Sequence, residues 1–102
     1  MSILNVTPLE GIIDGTNIPR GLQTDQAVNI SSDSTGTAVP TLVNGDAAEF
    51  LLLVADAAMY IKTGTTQGHA AGVAAGDTLL PANTQFILAL NTGITHIAKK
   101  DK

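Results

Sequence analysis

The sequence predicts an all-β protein: a small antiparallel β-sandwich or jelly-roll-like barrel, preceded by an extended N-terminal arm. Three observations point there. Short runs of Val, Ile, Leu, Thr and Phe alternate with clusters of Gly, Pro, Asn and Asp along nearly the whole chain, the punctuation of strands and turns. Asn44-Gly45 stands between two apolar runs, and both residues tolerate the positive φ that a type I′ hairpin turn requires. Six to eight short strands at this spacing are the usual content of a sandwich or barrel.

The elements follow in order. Residues 1–22 hold Ile3, Leu4, Val6, Leu9, Ile12 and Ile13, broken by Pro8, Gly11, Gly15, Pro19 and Gly21. The prolines forbid a long helix, because each removes a donor and pushes its predecessor extended. We read an extended arm, with those six apolar residues as the partner-binding set; the competing reading is a first edge strand of the same domain. The β domain is placed at 23–98. Residues 24–31 alternate as a half-buried strand, and 31–36 are a Ser-rich loop. Residues 37–43 lead through Asn44-Gly45 into the apolar run 47–61. That run favours helix by composition, with Glu49 and Asp56 seven apart and so on one helical face. The hairpin signal upstream and the β-like ending Met59-Tyr60-Ile61-Lys62-Thr63 favour two strands instead, 49–54 and 58–63. Residues 64–76, rich in Gly, Ala and Thr, are expected to form a surface loop. A short strand enters a turn at Pro81, and the last strands, 85–90 and 94–98, are bridged by Asn91-Thr92-Gly93. Residues 99–102 form a basic tail expected to fray. Alternation nominates Val28, Ile30, Phe50, Leu52, Val54, Tyr60, Phe86, Leu88 and Ile97 as core.

The chain has 102 residues, one domain's worth, and only Phe50, Tyr60 and Phe86 are aromatic. An aliphatic core of that size leaves little reserve, and subunit contacts are a common remedy. We therefore expect a homo-oligomer. There is no cysteine, so neither a disulfide framework nor a thiolate metal site is available. The net charge is −4, a sign that repels phosphate backbones and argues against nucleic acid. The start lacks the basic and apolar regions of a secretion signal. The run at 47–61 is too short and too charged for a membrane span.

No catalytic constellation stands out, and the chain reads as a non-enzyme with no cofactor. His69 and His96 have no companion at metal-ligand spacing. The carboxylates Glu10, Asp14, Asp25, Asp33, Asp46, Glu49, Asp56 and Asp77 are scattered, mostly beside turn residues, where Asp accepts local backbone hydrogen bonds. Phosphate-loop, dinucleotide and nucleophile-elbow glycine patterns are missing. So few aromatic rings also argue against a sugar platform.

Several segments carry a resemblance: Thr7-Pro8-Leu9-Glu10-Gly11, Asn17-Ile18-Pro19-Arg20-Gly21, Met59-Tyr60-Ile61-Lys62-Thr63-Gly64, and Asp77-Thr78-Leu79-Leu80-Pro81-Ala82-Asn83-Thr84 running into Phe86-Ile87-Leu88 and Ile94-Thr95-His96-Ile97-Ala98. Together they resemble small virion proteins of tailed bacteriophages with a β-sandwich or jelly-roll domain, including capsid decoration (cement) proteins. The resemblance implies a homo-oligomer, with a trimer favoured, assembled in the bacterial host cytoplasm and carried on the virion. Its partner there would be the major capsid protein or another virion protein. A head–tail or tail-fibre adaptor, or a receptor-binding module, is the alternative that the same style of sequence allows. No catalytic residues come with it.

Overall fold

The computed structural model describes residues 2–12, 15, 18–91 and 93–102. Two antiparallel sheets pack face to face. In the first, β1 (Leu4–Ile12) lies between β5 (Phe50–Ala55) on one side and both β2 (Pro19–Leu22) and β3 (Val28–Ile30) on the other, and β8 (Phe86–Ala89) forms the outer edge beyond β5. The second runs β4 (Thr37–Ala38), β9 (His96–Asp101), β6 (Met59–Gly64), β7 (Thr78–Leu80). The two layers close on Leu4, Val6, Leu51, Leu53 and Ala55 from one sheet and Met59, Ile61, Leu80 and Ile97 from the other. This is the all-β sandwich that the short strands and turns predict.

The N-terminal segment is not an arm. Residues 4–12 form an interior strand, and Leu4, Val6 and Leu9 are fully buried within their own domain. Pro8 is tolerated there for a specific reason. On its β2 side the next register position is Gln23, whose N–H donates to the Pro8 carbonyl at 3.1 Å. The Gln23 carbonyl, which would await a donor from residue 8, instead accepts from Gln26 N–H at 3.0 Å in the 3-10 turn Thr24–Gln26. The missing proline donor therefore orphans nothing. The C-terminal tail is also corrected: Lys99 is fully buried and β9 runs on to Asp101, paired with β6.

Residues 47–61 contain two strands, but β5 and β6 belong to different sheets. The expected hairpin at Asn44-Gly45 is a turn without a hairpin. Gly45 has φ +90 and its N–H bonds the Leu42 carbonyl at 2.8 Å, while β4 before it and β5 after it go to opposite layers. Likewise β8 and β9 belong to different sheets and are not paired with each other; of the expected bridge Asn91-Thr92-Gly93, Thr92 lies outside the described residues.

Two further expectations change. The Gly/Ala segment at 64–76 folds into a short helix, α1 (Gln67–Ala71), whose first turn is capped by Thr66 Oγ1 accepting from His69 N–H at 3.2 Å. It seats Ala70 and Val73 against Ala98 and Tyr60 on the outer face of the second sheet. Glycine is required beneath it, since a Cβ at Gly36 would strike the Gln67 carbonyl and one at Gly64 the backbone of Ala70. The core register is also shifted by one on β5 and β6. Leu51, Leu53, Met59 and Ile61 point into the core, whereas Phe50, Val54 and Tyr60 are half-buried on outer faces. Leu52 is buried, but on the outer face. A strand apolar on both sides gives no alternation by which to choose the inward set.

Candidate functional site

The six residues nominated as partner-binding separate. Leu4, Val6 and Leu9 are interior, Ile3 is 42% exposed at the chain start, Ile12 is half-buried on the first sheet, and Ile13 lies outside the described residues. Burial in the domain's own core removes the first three from any contact role.

What the fold exposes instead is one open side of the sandwich. Strands β7 and β8 are each an edge of their own sheet, and both border the same shallow depression, of about 270 Å³, between Thr78 on one rim and Phe86 and Leu88 on the other, with Ile61 also lining it. Lys62 and Asp77 stand at its margin. On the opposite face of β8 a second depression, of about 480 Å³, is lined by Ile12, Phe50, Gln85, Phe86, Ile87 and Ala89, with no charged group among them. From Thr78 to Ala98 the sequence contains no Asp, Glu, Lys or Arg. That uncharged run was the available signal for this side of the molecule, and strand-by-strand reading passes over it.

At the other edge of the first sheet Leu22 is 44% exposed and Val43 74% exposed. They line a common depression, and Val43 N–H donates to Gln23 Oε1 at 2.7 Å, which ties the 43–45 turn to the end of β2. An uncharged, mostly apolar surface on the β8 side and a mixed one, where Gln23, Thr24, Asp25 and Gln26 surround Leu22 and Val43, thus lie at opposite edges of one sheet. The chain has no matching family model, no matching curated protein and no matching solved structure.

The polar groups are organised around β9. Lys99 Nζ, with its side chain at 0% exposure, donates to Asp33 Oδ1 at 2.7 Å and to Asp101 Oδ1 at 2.8 Å. Burial opposes its charge, but the hydrogen bonds it donates to Asp101 and Asp33 and their negative charge outweigh that and raise its pKa above the ordinary lysine value. Asp101 is held below the ordinary carboxylate value, chiefly by its hydrogen bond from Lys99, against a smaller burial effect, with the Ser2 backbone N–H assisting at 3.4 Å. Asp33 also accepts from Asp101 N–H at 3.3 Å, and Ser34 N–H donates to the Lys99 carbonyl at 2.8 Å. The cluster therefore pins the 31–36 loop to β9. A fully salt-bridged ammonium is a structural tie and a poor nucleophile.

The two histidines, far apart in sequence, come to one rim. His69 Nδ1 shares a hydrogen bond with Thr65 Oγ1 at 3.4 Å, Thr95 Oγ1 donates to the Thr65 carbonyl at 3.0 Å, and Thr95 Oγ1 lies 2.8 Å from His96 Nδ1. These contacts staple α1 to the start of β9. Among the described residues no group of three or more His, Cys, Asp or Glu gathers to hold a metal ion, and no helix is long and apolar enough to cross a membrane.

Proposed function

We propose that this chain is a structural virion protein of a tailed bacteriophage, a capsid decoration (cement) subunit that works as a homo-oligomer on the assembled head shell. The observation that carries the reading is the pair of exposed surfaces at opposite edges of the first sheet, the uncharged β8 side and the corner where Leu22 and Val43 stand exposed among polar side chains. A subunit with two such surfaces can bind its own kind through one and a shell protein through the other, which is what bridging requires. The resemblance of the Met59–Gly64 and 77–98 segments to phage virion proteins supplies the setting. We assign shell contact to the Leu22–Val43 corner. The mechanism is mass action, since binding only to the assembled shell stabilises that state in proportion to the affinity difference between shell and free capsid protein.

The test is an electron-cryomicroscopy map of virions of the encoding phage, with heat stability of particles measured with and without the protein. Density for this sandwich on the shell, and particles that rupture at lower temperature without it, are expected. Density at the tail tip, or shells of unchanged stability, would overturn the assignment.

A further inference from the structure

Strand β8 is an edge without the usual guards. Edge strands present a row of unpaired backbone groups, and soluble proteins blunt them with charge, proline or brevity. Strand β2 carries Arg20 and begins at a proline, β4 has two residues, and β7 has three and follows Asp77. Strand β8 reads Phe86-Ile87-Leu88-Ala89, flanked by Gln85 and Leu90, with nothing paired on its outer side among the described residues.

The open backbone groups can be named. Leu90 N–H donates to the Glu49 carbonyl at 2.8 Å, and the register with β5 pairs Leu88 with Leu51 and Phe86 with Leu53. Hydrogen-bonded positions alternate in an antiparallel ladder, so residues 86, 88 and 90 are turned to β5, and 85, 87 and 89 face the free edge. A two-fold axis normal to the sheet keeps each face on its own side, so it can only pair residues of like parity. Centred on Ile87 it sets Ile87 against itself, Gln85 against Ala89 of the second copy and Phe86 against Leu88 of the second copy. All three outward-facing positions then meet one another.

We propose that two copies of this chain pair antiparallel through β8, with Ile87 on the two-fold axis, to form one continuous ten-stranded sheet. Charge selects the occupant. The chain is acidic overall, at −4, so two copies repel across most approaches, and the uncharged stretch from Thr78 to Ala98 is where they can meet without opposing like charges. Four-residue strands alone fall short of the roughly 800 Å² per partner that a stable interface needs. The uncharged 480 Å³ depression beside Ile87 extends the contact. The inference deepens the oligomeric part of the function proposed above and replaces the expected trimer with a dimer.

The experiment is sedimentation of the full chain and of three variants at micromolar to near-millimolar concentration, with circular dichroism as the fold check. The wild type is expected at twice the 10.4 kDa chain mass. Ile87→Pro removes an N–H that faces the open edge and not β5, and should give a folded monomer. Ile87→Lys, which sets two ammonium groups together on the axis, should do the same and serves if the proline variant does not fold. Ile3→Lys, at an exposed apolar residue just before β1 and away from β8, should remain dimeric. A wild-type monomer, a trimer, or a dimer that survives both Ile87 substitutions overturns the proposal. A monomer that still decorates shells would refute β8 pairing and leave the virion assignment standing, whereas a dimer that binds no shell does the reverse.

Discussion

Strands β5 and β8 are neighbours in one sheet, both are uncharged and almost wholly aliphatic, and they live in different surroundings. Strand β5 has a partner on either side, with Leu51 and Leu53 at 0% exposure. Strand β8 has one partner, and its residues are half-buried or exposed. Composition does not separate them. The distinction is made by β1, which arrives from the opposite end of the chain to cover the far side of β5, while nothing described covers the far side of β8. A centre and an edge of the same sheet can thus share a vocabulary, and the free edge is the one available for contacts with other molecules.

The strongest way to break the comparison is to turn β5 into an edge. Deleting residues 1–12 removes β1, uncovers β5 and takes Leu4 and Val6 from the core. The expected result is an unfolded or insoluble chain, read by loss of the β circular-dichroism signal and of the cooperative thermal transition. A soluble, folded truncation would mean that residues 1–12 are an accessory after all.

Leu53→Ala and Leu88→Ala compare the two strands at equal chemistry. Leu53 is fully buried, and its truncation should cost about 2–5 kcal/mol. Leu88 is only half-buried, so its truncation should fall near about 1 kcal/mol by the area it covers. Urea denaturation with unchanged slope would check both, and equal losses would show that β8 is buried more deeply than an edge.

The charged tie on β9 comes next in size. Lys99→Met keeps the length of the side chain and removes both ion pairs. The expected loss is about 1–3 kcal/mol, below the roughly 3–5 kcal/mol for breaking a fully buried pair, because Asp33 and Asp101 remain partly solvated at 46% and 33% exposure. The pH dependence has two limbs. Asp101 is lowered from its ordinary 3.8, so its contribution is complete above that value and is lost as pH falls through the depressed native value. Lys99 is raised from 10.5, so its contribution is complete below that value and is lost as pH rises through the elevated native value. Stability should therefore be flat on this cluster's account from mildly acid to mildly alkaline pH, and both outer limbs should be shallower in Lys99→Met. Identical limbs in the two proteins would show that the tie contributes nothing.

The all-β class, the division of 47–61 into two strands and the position of most turns were legible in the sequence, because Gly, Pro and Asn-Gly act locally. The layer to which each strand goes was not. Asn44-Gly45 makes the same turn whether the chain returns along its own sheet or crosses to the other, and β4 crosses. Pro8 forbids a helix at 4–12 but not an interior strand, because the Gln23 carbonyl that it leaves without a donor is bonded by Gln26 instead. The basic ending suggested a frayed tail because the partner that draws Lys99 inward, Asp33, lies in a distant loop. For the candidate surface, the arm residues drew attention as exposed apolar groups when burial had already claimed three of them. The informative signal was negative, a stretch from Thr78 to Ala98 with no charge, and its meaning depends on knowing that it contains two edges.

The smallest effect sharpens the comparison most. Leu52 and Ile87 are directly opposite each other on the outer face of the first sheet, one on β5 and one on β8. They share a face, a register and nearly a volume, but Leu52 is 6% exposed and Ile87 is half-buried. Threonine at either position keeps β propensity and removes apolar area, so strand position is the main variable left. Leu52→Thr should cost about 2 kcal/mol, in line with burying a full aliphatic side chain. Ile87→Thr should cost less than about 1 kcal/mol in the monomer, as substitutions outside the core do. Measured in denaturant at low protein concentration the two should differ clearly. At high concentration the Ile87→Thr deficit should grow, because association through β8 adds stability to the wild type that the variant cannot recover. A deficit that stays constant with concentration would mean that Ile87 is only a surface residue of its own subunit and that the β8 edge is left bare.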